Sequence, residues 1–540
     1  MDPLTWTGNF AGWTNPLLTL GVIGLALGII GSFTAAFASS TQPVFAPGGA
    51  VVTPWKLTTA SSLAELMLPG AITGFVLWVL ESAMADPTLG MWLAEAGMPN
   101  WTVTTIVALA FFAVGCFFAW VLQRATVATY DALIGYAALL IAIVVVAFIF
   151  FAQFTEYGNA GILGEICKRF LPVWLALVAT FALSIFYKRK LGLYGKLFDS
   201  SVGMVGFGLV MFWVFTALFA SVDLITTHNE LAQISGLKNE LPGTPVNDEE
   251  LYPHYLLGGD NLARDIFSRM VKGSVVVMQV APLATLFAFM VGITLGLPAG
   301  YYGGRLDTIL SFLANLILAF PVILLFYLLV TPEIVATGIP TYMAAVLFLF
   351  PIVFLVILFN SRFYTQPSKN RTYLAVTIIV GLWVYLGVAW NADPLGIISV
   401  PPGLLVVFVS VVFVNSPTVF RIVRGLALDI KTRDYVAAAQ TRGEGPWYIM
   451  LWEILPNARG PLIVDFCLRI GYTTILLGTL GFFGLGLPPE SPDWGTTINE
   501  GRKLLSIYPH PALPPAVAIL SLVLGLNLLA DGLREESLKD

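Results

Sequence analysis

Apolar residues in this chain run almost unbroken for about 20 positions at a time, separated by short polar or glycine-rich stretches. Such runs match helices that cross a bilayer. They predict spans at Leu17–Ala38, Glu65–Ala85, Thr104–Leu122, Ala132–Phe154, Phe170–Tyr187, Val202–Val222 and Val275–Leu297. Further spans are predicted at Ile309–Leu329, Tyr342–Asn360, Tyr373–Trp390, Leu404–Phe420, Leu462–Leu485 and Pro515–Leu529. The runs are too long and continuous for the alternating strands of a membrane barrel. The expected fold is therefore all-α, a polytopic helical membrane protein with about thirteen spans.

The polar interruptions carry more information than the runs. Asp434–Pro461 reads as two short helices joined at a break. Asp434 or Thr432 is placed to cap the first, Ala437, Ala438 and Ala439 keep one face small, and Gly443 with Gly445 ends it. Pro446 suits the first turn of the second helix, which Leu455, Pro456 and Asn457 should stop. A second polar segment, His228–Lys272, ends in residues spaced for an interfacial amphipathic helix. There Leu262, Ile266, Phe267 and Met270 form the apolar face and Arg264, Asp265 and Arg269 the wetter one. Gly300, Gly303 and Gly304, with Asp307, mark a sharp turn between spans.

Composition agrees with the pattern. The 540 residues are 57% hydrophobic and 11% charged, with a mean hydropathy of +0.85. The placement of cations matters more than the net charge of −5, because Lys and Arg gather on the cytoplasmic side. Lys188, Arg189 and Lys190, then Arg305, Arg362, Lys369 and Arg371, then Arg421 to Arg442, put the N-terminus outside and the C-terminus in the cytoplasm. Cys116, Cys167 and Cys467 lack metal-ligand spacing, so no metal site or disulfide framework is expected. No cleavable signal peptide is expected, since Met1–Pro16 holds no basic residue. Polar residues inside spans are candidates for a path or gate. Gln279 and Asn315 are such groups, and Asp465 and Arg469, four apart, can pair on one helix face. His228, His254 and His510 are expected as solvated loop residues.

The segment Asp434–Asn457 resembles the EAA coupling loop of ATP-binding-cassette importer permeases, through Ala438, Ala439, Gly443, Leu455, Pro456 and Asn457. Gly300-Tyr301, Gly303-Gly304 and Asp307 are similar to a turn in the subfamily holding the second, C-type permease subunit of dipeptide, oligopeptide and nickel importers. So are Leu257-Gly258, Asp260, Arg264-Asp265, Phe320-Pro321, Arg421–Gly425, Trp494-Gly495, Glu500–Arg502 and Asn527–Arg534. In order, these cover about 60% of the chain. The chain departs from the pattern at Ala437, where the family has glutamate, and at Glu453, where histidine is usual. Gly259 and Ala263 replace a threonine and a glycine, which predicts a differently shaped outer loop.

The resemblance implies a type I importer transmembrane fold in the cytoplasmic (inner) membrane of a bacterium or archaeon. Its partners would be two ATPase subunits, a second permease subunit, an extracytoplasmic substrate-binding protein and membrane lipid, with no nucleic acid. Asp434, Ala437, Ala438, Ala439, Gly443, Gly445, Leu455, Pro456 and Asn457 would couple to the ATPases, which would bind ATP and magnesium; no cofactor is expected in this chain. It has no catalytic residues, and its nearest approach to a phosphate loop, Gly192-Leu193-Tyr194-Gly195-Lys196, lacks the first glycine and the following Ser or Thr. The expected organisation is an extra bundle at 1–196, permease core at 197–330, an inserted two-span hairpin at 331–402 and core again at 403–540, with the coupling loop at 430–460. Peptides or peptide-like solutes would be the cargo. An ion-coupled carrier and a structural subunit of a membrane complex remain the alternatives.

Overall fold

A computed structural model describes residues 2–10, 146–190, 192–246, 252–398, 400–485, 490–503 and 505–537. The spans expected at Leu17–Ala38, Glu65–Ala85 and Thr104–Leu122, and most of Ala132–Phe154, lie outside these residues. The chain divides into two compact units, Leu4–Lys168 and Arg169–Asp540 with Met1–Pro3. In the first, Lys168 pairs with Glu165 at 2.7 Å.

In the second unit the helices are α1 (Leu171–Phe186), α2 (Ser201–Ser221), α3 (Ile266–Tyr302), α4 (Gly304–Leu318), α5 (Val322–Val330), α6 (Ile339–Leu347), α7 (Leu349–Phe363), α8 (Pro367–Trp390) and α9 (Pro402–Ile430). Then come α10 (Asp434–Thr441), α11 (Pro446–Tyr448, a π-turn at Ile449–Ile454 and Leu455–Asn457), α12 (Arg459–Phe482), α13 (Trp494–Arg502) and α14 (Leu513–Ser537). A two-stranded antiparallel ribbon, β1 (Thr244–Pro245) with β2 (His254–Tyr255), lies before α3. Among the described residues, seven helices are long and apolar enough to span, or nine if each of two bent pairs counts as one span.

The 37-residue α3 is about 55 Å long at 1.5 Å per residue, well beyond a hydrocarbon core of about 30 Å. It is the pillar of the fold, and α9 packs along most of it. Close approach is set by Gly292, Gly296 and Gly300, one helical turn apart. A Cβ on Gly296 would lie 2.9 Å from the Phe420 carbonyl oxygen and 3.0 Å from Val423 Cβ, and one on Gly300 2.7 Å from Ala427 Cβ. Small residues at such a seam let two backbones meet where lipid offers no hydrophobic drive between helices. Around it pack Val280, Ala284 and Val291 of α3 with Val406, Val409 and Val412 of α9 and Leu476, Leu477 and Leu480 of α12.

Two expectations are corrected here. The run Ile309–Leu329 is not one straight span: Ala319, Phe320 and Pro321 separate α4 from α5, which are bent by 81°, because Pro321 cannot donate to the helix ladder and constrains the residue before it. Residues 262–270 do not form a separate interfacial helix with a wet charged face. Asp265 caps α3 through Phe267 N and Ser268 N, and Arg264, Asp265 and Arg269 are 3%, 0% and 0% exposed.

Replacing Gly296 by valine should lower thermal stability of the detergent-purified chain by about 1–3 kcal/mol through overpacking. Gly425 of α9 has nothing within 4 Å of a Cβ position, so Gly425→Ala should be neutral or slightly stabilising.

Candidate functional site: two polar ends of one long helix

Near the C-terminal end of α3 sits the α10–α11 module. Val436 and Ala439 of α10 and Ile449, Met450, Leu451 and Ile454 of α11 are buried against Leu297 of α3 and Val423, Ala427 and Ile430 of α9. The outward face of α10 presents Asp434, Tyr435, Ala437, Ala438, Gln440 and Thr441. Ala439 therefore belongs to the inner face, so the three alanines expected to keep one face small are divided between two faces. Neither Asp434 nor Thr432 caps α10: the N-cap is Arg433 with no side-chain bond, and the Thr432 hydroxyl donates to the Asp429 carbonyl at 2.8 Å. Gly443 breaks the module at φ +78°, Gly445 is the N-cap of α11 and Pro446 its first residue. The second helix is not stopped at Leu455-Pro456-Asn457; it continues into α12 with only a tight turn at Ala458. Pro456 and Asn457 are exposed and Leu455 half-buried.

Polar bonds fasten this module to its mount. Lys431 Nζ donates to the carbonyls of Gly300 (2.8 Å) and Tyr301 (3.3 Å), satisfying the C-terminal end of α3 where carbonyls lack helical partners. Gln440 reaches the Tyr301 hydroxyl at 3.2 Å, and Arg442 pairs with Glu453 at 2.8 Å. In the adjacent turn Gly303 and Gly304 take φ +67° and +61°, and Asp307 accepts two bonds from the Arg424 guanidinium. Trp452 of α11 donates to Ser361 Oγ at 3.1 Å. Of the candidate path groups, Gln279 is exposed, and Asn315 accepts from Arg421 at 3.0 Å. Asp465 and Arg469 pair at 2.7 Å, as their spacing predicts.

The N-terminal end of α3 carries a buried ionic cluster that sequence reading placed on a wet surface. Arg264 donates to Asp260 at 2.7 Å and binds Glu500 of α13. Arg269 donates to the Ser491 carbonyl at 3.0 Å and to that of Glu490 at 3.4 Å, and lies 3.8 Å from Glu500. The loop before α3 is thus tied to the segment 490–500. His228 (Nδ1 3.4 Å from Asp265 Oδ2), His254 and His510 (Nε2 3.3 Å from the Gly259 carbonyl) are buried, not solvated. Their rings fill the joints between loop segments, so burial follows from packing. Burial pushes the Glu500 carboxyl up and the His510 ring down. Burial also acts to raise Asp265, but bonds from His228, Ser268 and Thr227 outweigh it and hold Asp265 below its usual value.

Ala263 takes φ +61°, the left-handed conformation that glycine adopts freely. Its position is the one where the resembling pattern has glycine, so alanine carries strain there. Tyr255 Oη donates to the Ala263 carbonyl at 3.0 Å and holds it.

Long apolar spans, a polar module mounted on α3, α9 and α12 and a polar cap at the far end of α3 make this a polytopic helical membrane protein with a built polar element at each end of its longest helix. The family profile described as the binding-protein-dependent transport system inner membrane component matches residues 292–535. The chain is 32% identical over 290 residues to the glutathione transport system permease protein GsiD of Pectobacterium atrosepticum, covering 54% of this chain and 74% of that protein. It is 30% identical over 283 residues to the dipeptide transport system permease protein DppC of Haemophilus influenzae, covering 52% and 73%. With DppC of Alkalihalophilus pseudofirmus it shares 26% over 342 residues, 63% and 87%. The chain belongs to this family: it is a multi-pass inner-membrane permease of an ATP-binding-cassette importer, of the C-type.

Two measurements test the capped end. Ala263→Gly should raise stability by about 0.5–1 kcal/mol, as relief of strain outweighs the added freedom of the unfolded chain. The depressed pKa of Asp265 stabilises the fold above its unfolded value and ceases to do so as pH falls through the folded one. Asp265→Asn should therefore cost about 2 kcal/mol at pH 7, and the gap to the parent should close below the ordinary carboxylate value of 3.8.

Proposed function

We propose that the α10–α11 module receives the stroke of separate ATPase chains, and that the helices it is mounted on, α3, α9 and α12, carry the stroke into the membrane. The observation that carries this reading is the two-faced build of α10. Val436 and Ala439 are fully buried in the permease, while Ala437, Ala438 and Thr441 stand exposed with short side chains. The strip of short side chains at Ala437, Ala438 and Thr441 lets the helix lie deep in a cleft of a partner. A well-packed inner face, with Lys431 pinned to the end of α3, moves as a rigid body with its mount. In this reading the α10–α11 end is cytoplasmic, as is the C-terminus, and the N-terminus is outside. ATP and magnesium are held by the partner ATPases.

The familiar glutamate is not needed for this. Ala437 leaves shape and apolar burial to dock the helix, and Glu453 serves within the module by pairing with Arg442. One such permease forms half a translocation path, so a second permease subunit completes it. An extracytoplasmic binding protein delivers cargo to the capped end around 228–272 and 490–510. Because the relatives are named for dipeptide and glutathione transport, the cargo class we infer is peptides or peptide-like solutes. Asp465 and Arg469 satisfy each other, which favours a structural ion pair over the coupling site of an ion-driven carrier.

A pull-down of the solubilised full chain tests the coupling role. ATPase chains and a second permease should be recovered with the parent. Ala438→Trp, at an exposed position, should lose the ATPase while keeping the second permease and the parent's thermal stability. Recovery of the second permease with no ATPase from the parent would overturn the reading.

A further inference from the structure

The inserted hairpin formed by α6–α7 and α8 encloses, with Phe287 of α3, an apolar cavity of about 330 Å³. Phe348, Leu355, Val380, Gly381 and Val384 line it, and the one phenolic hydroxyl on its wall, that of Tyr385, donates to the Ala345 carbonyl at 3.0 Å. Among the seven unbent candidate spans of the described residues, the helices around it are the least buried, with 11% of α6–α7 and 17% of α8 buried. A cavity so placed meets acyl chains, not water.

At one end the hairpin is basic. Arg362, Lys369 and Arg371 are exposed there, and the chain holds no carboxylate between Glu333 and Asp393. The three cations gather at a pinned neck: Asn370 donates to Asn360 at 2.9 Å, and Tyr373 stacks on Phe359 and Phe363 at 5.3 and 4.8 Å. Val376, the cavity residue nearest this end of α8, lies five positions from Arg371, about 7.5 Å along the helix. A cationic neck leading directly into an apolar hollow has the polarity of an amphiphile with an anionic head.

We propose that this site holds an anionic phospholipid, its phosphate at Lys369 and Arg371 and one acyl chain in the cavity. Charge selects the occupant: a zwitterionic lipid offers the same chain but no net attraction to Lys369 and Arg371. The site also borders the α10–α11 module, because Arg362 lies 4.7 Å over the Trp452 ring and Ser361 accepts from the same indole. A lipid seated here braces the hairpin against α11, so the site deepens the coupling role proposed above while resting on geometry independent of it.

The test is native mass spectrometry of the full-length chain after delipidation and titration with phosphatidylglycerol or phosphatidylcholine of matched chains. The parent should retain one phosphatidylglycerol more tightly than any phosphatidylcholine. Lys369→Gln with Arg371→Gln should weaken that lipid by about tenfold or more. Val384→Phe, which fills the hollow and leaves the charges in place, should weaken it as well, with thermal stability of both variants confirming that the fold is kept. Equal retention of the two lipids by the parent would overturn the proposal. So would loss in the charge variant alone, since that pattern means headgroup adsorption at the surface. Neither outcome depends on ATPase binding, so failure here and failure of the coupling reading are told apart.

Discussion

The seam between α3 and α9 is the contact on which the rest of this permease depends. A helix of 37 residues is longer than any bilayer needs, and its length is used at both ends. Lys431, just beyond α9, closes the carbonyl end of α3, while Arg269 and the Asp265 cap hold its first turn among the loops at the opposite end. The glycines at 292, 296 and 300 let α9 run alongside α3 in backbone-close contact down to the end where α10–α11 is mounted. In a lipid solvent that closeness, and not burial from water, is what holds the pair.

The same helix explains why costly charges sit at its N-terminal end. Asp260, Arg264, Arg269 and Glu500 give two positive and two negative groups in a site nearly closed to solvent. Burying them stabilises little by itself, because desolvation offsets the attraction. Their value lies in specificity of arrangement: each arginine bonds to groups from separate segments, so the loop before α3 and the segment before α13 have one mutual position. Among the described residues Arg269 Nε finds no hydrogen-bond partner, and its 3.9 Å separation from Asp260 is ionic contact only. Removing one member of this cluster would leave a buried charge unmatched, which is strongly destabilising.

Long apolar runs made the helices legible in sequence, since a span needs only length and hydropathy to be seen. The module at Asp434–Asn457 was legible because glycine and proline punctuate it. Four features were not. Periodicity placed Arg264 and Arg269 on a wet face because it assumes that charge means water, and only the distant Glu500 and the carbonyls of residues 490 and 491 reverse that. The buried histidines were missed for the same reason, their partners lying in other loops. The bend at Phe320-Pro321 was hidden by apolar residues on both sides, although Pro321 itself was the available signal. The roles of the outer and inner faces of α10 also needed the fold, because three consecutive alanines show no periodicity.

The departures from the family pattern acquire a common physical reading. Ala263 keeps a glycine's backbone angle at the cost of strain, and Tyr255 spends its hydroxyl holding that carbonyl in place. Ala437 removes a charge from the exposed face of α10, and Glu453 restores one on the neighbouring helix, where Arg442 meets it. Exposed pairs of this kind contribute at most about 1 kcal/mol, so Arg442 and Glu453 fix an angle between α10 and α11 more than they stabilise it. That angle is also gripped from the side by the hairpin, through Trp452. Arg442 with Glu453 and Trp452 with Ser361 are braces within the chain itself, so the orientation of α10 and α11 is set without a charge at position 437.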